Sequence, residues 1–213
     1  NIHWSKFNFE NYKSKPYVWH KYQNDVFLSP GNLTQEIFQS LIISEIKKKK
    51  FTSILEVGCG IGLNIFNLAK QFPSINFTGI DISDEAINFC KKNNNFKNVE
   101  FIKENAAKIN FKDNYFDMTY TVLSLEQMQQ IQKEVIKKIT QITKDRIILI
   151  EPFRDVNQNF IEYIHTKNSN YFNLNYNDLL KYDLEINNVE YDFPQRIGLS
   201  AAFVCLKKIQ SQK

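Results

Sequence analysis

Three glycines at alternate positions, Gly58, Gly60 and Gly62, form the group best placed to do chemistry in this 213-residue sequence, with Glu56 two residues ahead of them and Asp81 nineteen residues beyond the last. Glycine lacks the Cβ atom that would hold a ligand away from the backbone, so such a turn lets the chain pass close to whatever it binds. Ahead of it, Ile54, Leu55 and Val57 read as a buried parallel strand; after it, Ile65, Phe66, Leu68, Ala69 and Phe72 recur at helical spacing. In a doubly wound sheet the first strand-turn-helix is where a nucleotide sits, and a carboxylate at the end of the second strand, here Asp81, accepts hydrogen bonds from both ribose hydroxyls.

The spacing separates two kinds of nucleotide. A dinucleotide fingerprint wants Gly-x-Gly-x-x-Gly, whose third glycine allows close helix packing beside a pyrophosphate; here the pattern is Gly-x-Gly-x-Gly and Leu63 stands at that third position. Glu56 points the same way, since a carboxylate would repel a pyrophosphate and favour a cation. The turn therefore predicts a nucleoside that carries a positive group.

These residues need a sheet to hold them. A helix is expected over Leu33 to Ile46, opened by an Asn32/Gln35 capping box and closed by the lysine run Lys47 to Lys50, where cations complement the helix dipole. Strands are expected at Ile75–Ile82, Val99–Lys103, Asp117–Leu123 and Arg146–Glu151, with a helix capped by Ser83 running to about Lys92. Ser124 and Gln127 make another capping-box pair, predicting one long helix through Met128, Ile131, Val135, Ile139 and Ile142. A helical, aromatic segment is expected over 157–182, and two consecutive strand-like runs, Ile186–Phe193 and Leu199–Leu206, suit an antiparallel hairpin. Strands alternating with helices imply right-handed crossovers, so the expected fold is α/β: a doubly wound, mainly parallel seven-stranded sheet ending in that hairpin. Residues 1–32, rich in Trp4, Tyr17, Trp19, Tyr22 and other aromatics, are too aromatic for a disordered tail and predict an arm or lid at least partly ordered against the body, leaving 33–213 as one domain.

Glu56-Val-Gly-Cys-Gly-Ile-Gly62, followed by Asp81, resembles the first two motifs of class I S-adenosylmethionine-dependent methyltransferases, and the terminal hairpin matches that family's topology. The resemblance covers roughly residues 33–207 and implies S-adenosylmethionine as cofactor and S-adenosylhomocysteine as product. Carried over by position, it implies that Gly58, Cys59 and Gly60 line the amino-acid moiety, that Glu56 orients the loop or the ammonium, and that Asp81 clamps the ribose. It also places Ile82 on the adenine and Val122 with Leu123 beside the methionine portion. Where the family often has an acid facing the adenine amino group, this chain has Asn105-Ala106, whose amide carbonyl accepts the same bond.

Methyl transfer from a sulfonium releases a neutral leaving group, so alignment matters more than acid catalysis, and a base is needed only if the acceptor holds a proton. His20, in an arm that in related enzymes often closes over the cofactor, and Glu126, directly after the fourth strand, are the candidate bases; His165 reads more readily as a packed or surface group. Related enzymes often carry Leu-Glu-His where this chain has Leu125-Glu126-Gln127, so no base is inferred at Gln127. Trp19 and Arg154 are candidate acceptor contacts, Arg154 as a partner for a carboxylate or phosphate.

The remaining features narrow the acceptor. A net charge of +4 is slight, and outside Lys47 to Lys50 it is not concentrated as in a nucleic-acid binder. Neither an Asn-Pro-Pro-Tyr-like stretch nor a Pro-Cys dipeptide is present, which weighs against methylation of adenine, glutamine or cytosine. The expected function is methyl transfer to an oxygen or nitrogen of a small molecule, a metabolite or sugar precursor; an RNA or protein methyltransferase and a catalytically silent partner subunit remain open. Cys59, Cys90 and Cys205 lack disulfide or metal-ligand spacing, and the opening residues lack a secretory layout, so a cytoplasmic protein with no metal and no membrane span is expected.

Overall fold

The computed structural model describes residues 33–156, 172, 174–194 and 200–209. Helix α1 (Leu33–Lys47) leads to β1 (Ser53–Val57), α2 (Leu63–Gln71), β2 (Asn76–Asp81), α3 (Asp84–Asn93) and β3 (Val99–Lys103). After β4 (Phe116–Val122) and a short 3-10 turn come α4 (Gln132–Ile142) and β5 (Thr143–Glu151); a 3-10 helix at Tyr176–Tyr182 precedes β6 (Leu184–Pro194) and β7 (Ser200–Lys208). The seven strands lie in the order β3-β2-β1-β4-β5-β7-β6. The first five are parallel, and β7 joins antiparallel to both β5 and β6.

Strand alternation distributes the apolar side chains between two cores. Ile54, Ile148, Ile150, Phe203 and Cys205 pack against Phe38 and Ile42 of α1 and against Ile65 and Leu68 of α2. Leu55, Val57, Ile147, Leu149 and Val204 pack against Val135, Ile136 and Ile139 of α4 and against Phe172 and Leu179. A sheet covered on both faces explains why β1 and β5 read as nearly unbroken apolar runs. The same alternation turns Glu56 toward the α1–α2 face, in register with Tyr120 on β4.

Two elements differ from the sequence expectation. Ser124 does not cap a long helix: it has helical dihedrals and no side-chain capping bond, a 3-10 turn at Leu125–Gln127 follows, and α4 begins only at Gln132. Strand β5 starts at Thr143 rather than Arg146, directly from the end of α4. Its opening residues alternate buried and exposed, and their charges are partnered, Asp145 by Lys49 at 3.0 Å and Lys144 by Asp117 at 3.8 Å. Lys49 belongs to the lysine run after α1, and Lys48 of the same run pairs with Glu45. The aromatic arm and most of the 157–182 segment lie outside the described residues; the described part, Tyr176–Tyr182, is a 3-10 helix opened by an Asn175/Asp178 capping box. No described helix is long and apolar enough to cross a membrane.

Candidate active site

The sheet reverses its winding between β1 and β4, and the chain leaving β1 there forms the glycine turn. Its backbone is tied to β2: the Gly58 and Cys59 N–H groups both donate to the Ile80 carbonyl, at 2.8 and 3.0 Å. All three glycines have left-handed φ angles, 75° at Gly58, 51° at Gly60 and 79° at Gly62. At Gly58 the need is also steric, since a Cβ would lie 2.5 Å from the Cβ of Ser124. Asp81 fastens the turn from the side: one carboxylate oxygen accepts from Gly60 N–H and the other from Ser83 N–H, each at 2.9 Å. Thus the residue expected to clamp a ribose also holds the glycine turn against the start of α3.

A cleft of about 640 Å3, including its open mouth, lies beyond these strand ends. One flank is built by Gly58, Asp81, Ile82, Glu104, Asn105 and Ala106, and the other by the chain after β4, from Val122 through Gln127 to Met128 and Ile131. Of the residues singled out from the sequence, the structure therefore brings Gly58, Asp81, Ile82, Asn105, Ala106, Val122 and Leu123 to one cavity. Cys59 and Glu56 are buried beside it without lining it, and Gly60 is held behind Asp81. Glu126 is also buried, its carboxylate accepting from the Gln127 side-chain amide at 3.0 Å, so in this turn it is Gln127 that lines the cleft. Arg154 lies off the cleft, where its Nε donates to the Phe172 carbonyl at 2.9 Å. Trp19, His20 and His165 lie outside the described residues.

An acid stands at or just beyond the carboxyl end of every parallel strand: Glu56 on β1, Asp81 on β2, Glu104 after β3, Glu126 after β4 and Glu151 on β5. Only Asp81 and Glu104 line the cleft. Glu56 is 2% exposed, and burial pushes its pKa up to about 8, with the Asn64 amide and the Tyr120 hydroxyl pulling the other way. Asn64 Nδ2 donates to Glu56 Oε1 at 2.7 Å, while Glu56 Oε2 and the Tyr120 hydroxyl complete no hydrogen bond of ordinary geometry. Burial likewise raises Glu151 to about 7, against the pull of the N–H groups it accepts. The charge facing a ligand therefore comes from Asp81 and Glu104, which suits a cation.

Sequence reasoning missed Glu104, Asn64 and Glu151. Glu104 lies one residue before Asn105, and its carboxylate accepts from the Asn105 N–H at 2.9 Å. Asn64 could have been noticed as a polar residue one turn before Leu68 on the buried face of α2. Glu151 carried a signal too, an acid ending an otherwise apolar strand.

Residues 48–192 match the family model described as "Methyltransferase domain". The chain is 38% identical over 71 residues to a fatty-acid O-methyltransferase of Mycolicibacterium smegmatis, a match covering 33% of this chain and 26% of that protein. It is 25% identical over 128 residues to a malonyl-[acyl-carrier protein] O-methyltransferase of Bacillus cereus, covering 58% of this chain and 46% of that one. The chain thus spans less than half the length of these two relatives. Among solved structures, a SAM-dependent methyltransferase from Methanosarcina mazei superposes with a TM-score of 0.64 at 19% identity, covering 76% of this chain and 95% of that one. The [4+2]-cyclase SpnF superposes with a TM-score of 0.63 at 16% identity, covering 81% and 80% of the two chains. The shared fold therefore does not by itself assign the reaction.

Proposed function

From a chain that belongs to the class I S-adenosylmethionine-dependent methyltransferase family, we propose an enzyme that binds S-adenosylmethionine in the cleft beyond β1 and methylates an oxygen or nitrogen of a small-molecule acceptor. The observation that carries this reading is the glycine turn folded onto Asp81 beside a cleft whose lining charges are Asp81 and Glu104. The two relatives, both O-methyltransferases by name, favour oxygen.

The cavity fits the cofactor chemically. Asp81 offers carboxylate oxygens to the ribose hydroxyls; Glu104 and Asn105 offer acceptors to an adenine amino group, and Ile82 and Ala106 offer it an apolar bed. Gly58 lines the cavity on the side proposed for the amino-acid moiety, while Val122 and Leu123 flank the sulfur side. Bound there, S-adenosylmethionine supplies an electrophilic methyl on a sulfonium that leaves as a neutral thioether. The chain's own work is then alignment and exclusion of water, and positioning of this kind contributes several kcal/mol. An acceptor that is already ionised, such as a carboxylate, requires no base, in keeping with Gln127 rather than histidine in the cleft wall. Where the acceptor keeps its proton, His20 is the proposed base and Trp19 a proposed contact; Glu126 is buried and Arg154 lies off the cleft, so neither takes such a role. The free cysteines Cys59, Cys90 and Cys205 suit a reducing, cytoplasmic setting.

The test is calorimetric titration of the full chain with S-adenosylhomocysteine, followed by an assay for its release when S-adenosylmethionine is supplied with free fatty acids or acyl thioesters. Saturable binding and acceptor-dependent release are expected. A folded protein that binds neither S-adenosylmethionine nor S-adenosylhomocysteine overturns the proposal.

A further inference from the structure

The cleft wall built by the chain after β4 is conformationally demanding. Leu123 has a left-handed φ of 48°, a region that a branched residue occupies only when its surroundings over-determine it. Its N–H makes the last bond to β5, to the Ile150 carbonyl at 2.9 Å. Beyond it, the next three N–H groups converge on one side chain: Ser124 and Leu125 donate to Glu151 Oε1 at 3.1 and 3.0 Å, and Glu126 to Oε2 at 3.3 Å. The first N–H groups of a helical turn have no partner within the turn, and here one buried carboxylate gathers them.

The same turn is tied to the cofactor loop. Ser124 Oγ donates to the Val57 carbonyl at 2.8 Å, and Ser124 packs so closely on Gly58 that no Cβ fits there. Glu151 itself is fully buried and does not line the cleft, whereas Leu123, Gln127 and Met128 do. We propose that Glu151 is a positioning residue for methyl transfer: by holding the Ser124–Glu126 backbone it sets Leu123, Gln127 and Met128 against the bound cofactor. This rests on the methyltransferase reading above.

Glu151→Gln makes a graded lesion. Its carbonyl oxygen can keep the Ser124 and Leu125 bonds, but its amino group meets the Glu126 N–H; Glu151→Ala loses all three. Thr143→Val, at the far end of the same strand, removes the buried Thr119–Thr143 hydroxyl contact of 2.6 Å and serves as the stability control. The readouts are the dissociation constant for S-adenosylhomocysteine and the backbone amide resonances of residues 123–128. Glu151→Gln is expected to weaken binding about tenfold, as for one charged hydrogen bond lost, to shift the Glu126 amide most, and to retain more binding than Glu151→Ala. Thr143→Val is expected to leave affinity within about twofold at a similar loss of thermal stability. Unchanged affinity in Glu151→Gln, or an equal loss in Thr143→Val, overturns the proposal. If the wild type binds no S-adenosylhomocysteine, the methyltransferase reading fails by itself; unmoved Ser124–Glu126 amides in Glu151→Gln then overturn the role of Glu151 separately.

Discussion

Glu56 and Tyr120 stand in register on neighbouring strands, both buried beneath the glycine turn, with Glu56 Oε2 and the Tyr120 hydroxyl each lacking a completed hydrogen bond. A carboxyl group in that position is held protonated by its burial, and its pKa near 8 compares with 4.5 for a free glutamate. Between those two values the folded state keeps a proton that the unfolded chain has released. The Glu56 contribution to stability is therefore fully present below about pH 4.5 and is lost as pH rises through about 8. Glu56→Gln mimics the protonated group, keeps an oxygen for Asn64 and offers Tyr120 an N–H. Denaturant unfolding is expected to show the variant close to wild type at pH 5 and more stable by a few kcal/mol at pH 8.5. An equal difference at both pH values would contradict the assignment.

Gly58→Ala combines two penalties. The left-handed φ of 75° costs a non-glycine residue about 1–2 kcal/mol, and a Cβ 2.5 Å from that of Ser124 forces the two sides of the cleft apart, adding about 1–3 kcal/mol. Thermal unfolding should report a destabilisation of about 3 kcal/mol. Because the displaced partner is the cleft wall itself, binding of S-adenosylhomocysteine should fall further than stability alone explains.

Asp81→Asn tests the ribose clamp without emptying the site. The amide retains one oxygen for either Gly60 or Ser83 N–H but turns its amino group toward the other donor. Losing charged hydrogen bonds to the turn and to ribose hydroxyls, at about 1.5–3 kcal/mol each, should weaken S-adenosylhomocysteine binding by about a hundredfold or more. Calorimetry that finds affinity within a factor of about three of wild type would remove Asp81 from the cofactor site.

Much of this architecture is legible in local sequence. The unbroken apolar run Ile147 to Ile150, the glycine spacing and the placing of Asp81 are short-range patterns, and the sheet with its terminal hairpin follows from them. What the sequence hides is long-range competition. Ser124 and Gln127 have capping-box spacing, yet of the two N–H groups such a box would satisfy, that of Ser124 is taken by Glu151, 27 residues away, and that of Gln127 by the Ser124 carbonyl. The start of β5 is masked for a similar reason, since Lys144 and Asp145 look like loop residues until their partners on β4 and after α1 are known. Glu126, a candidate base because it directly follows the fourth strand, is buried instead, and the 3-10 turn brings Gln127 to the cleft.

The amino end of the sheet offers a contrast that separates folding from function. Arg146, on β5, donates to Glu45 of α1 at 2.6 Å and to the Cys205 sulfur at 3.3 Å, and Glu45 is only 2% exposed. Removing one partner of a buried ion pair leaves the other charge without compensation, typically at about 3–5 kcal/mol. Arg146 retains some exposure and is also near Asp145, so Glu45→Ala should cost toward the lower figure, about 3 kcal/mol, by chemical denaturation. Arg146 pairs with Met118 near the start of β4, whereas the cleft lies beyond Val122 at its other end. Affinity for S-adenosylhomocysteine in the folded variant should therefore match wild type, and a parallel loss of affinity would show that the two ends of the sheet are coupled.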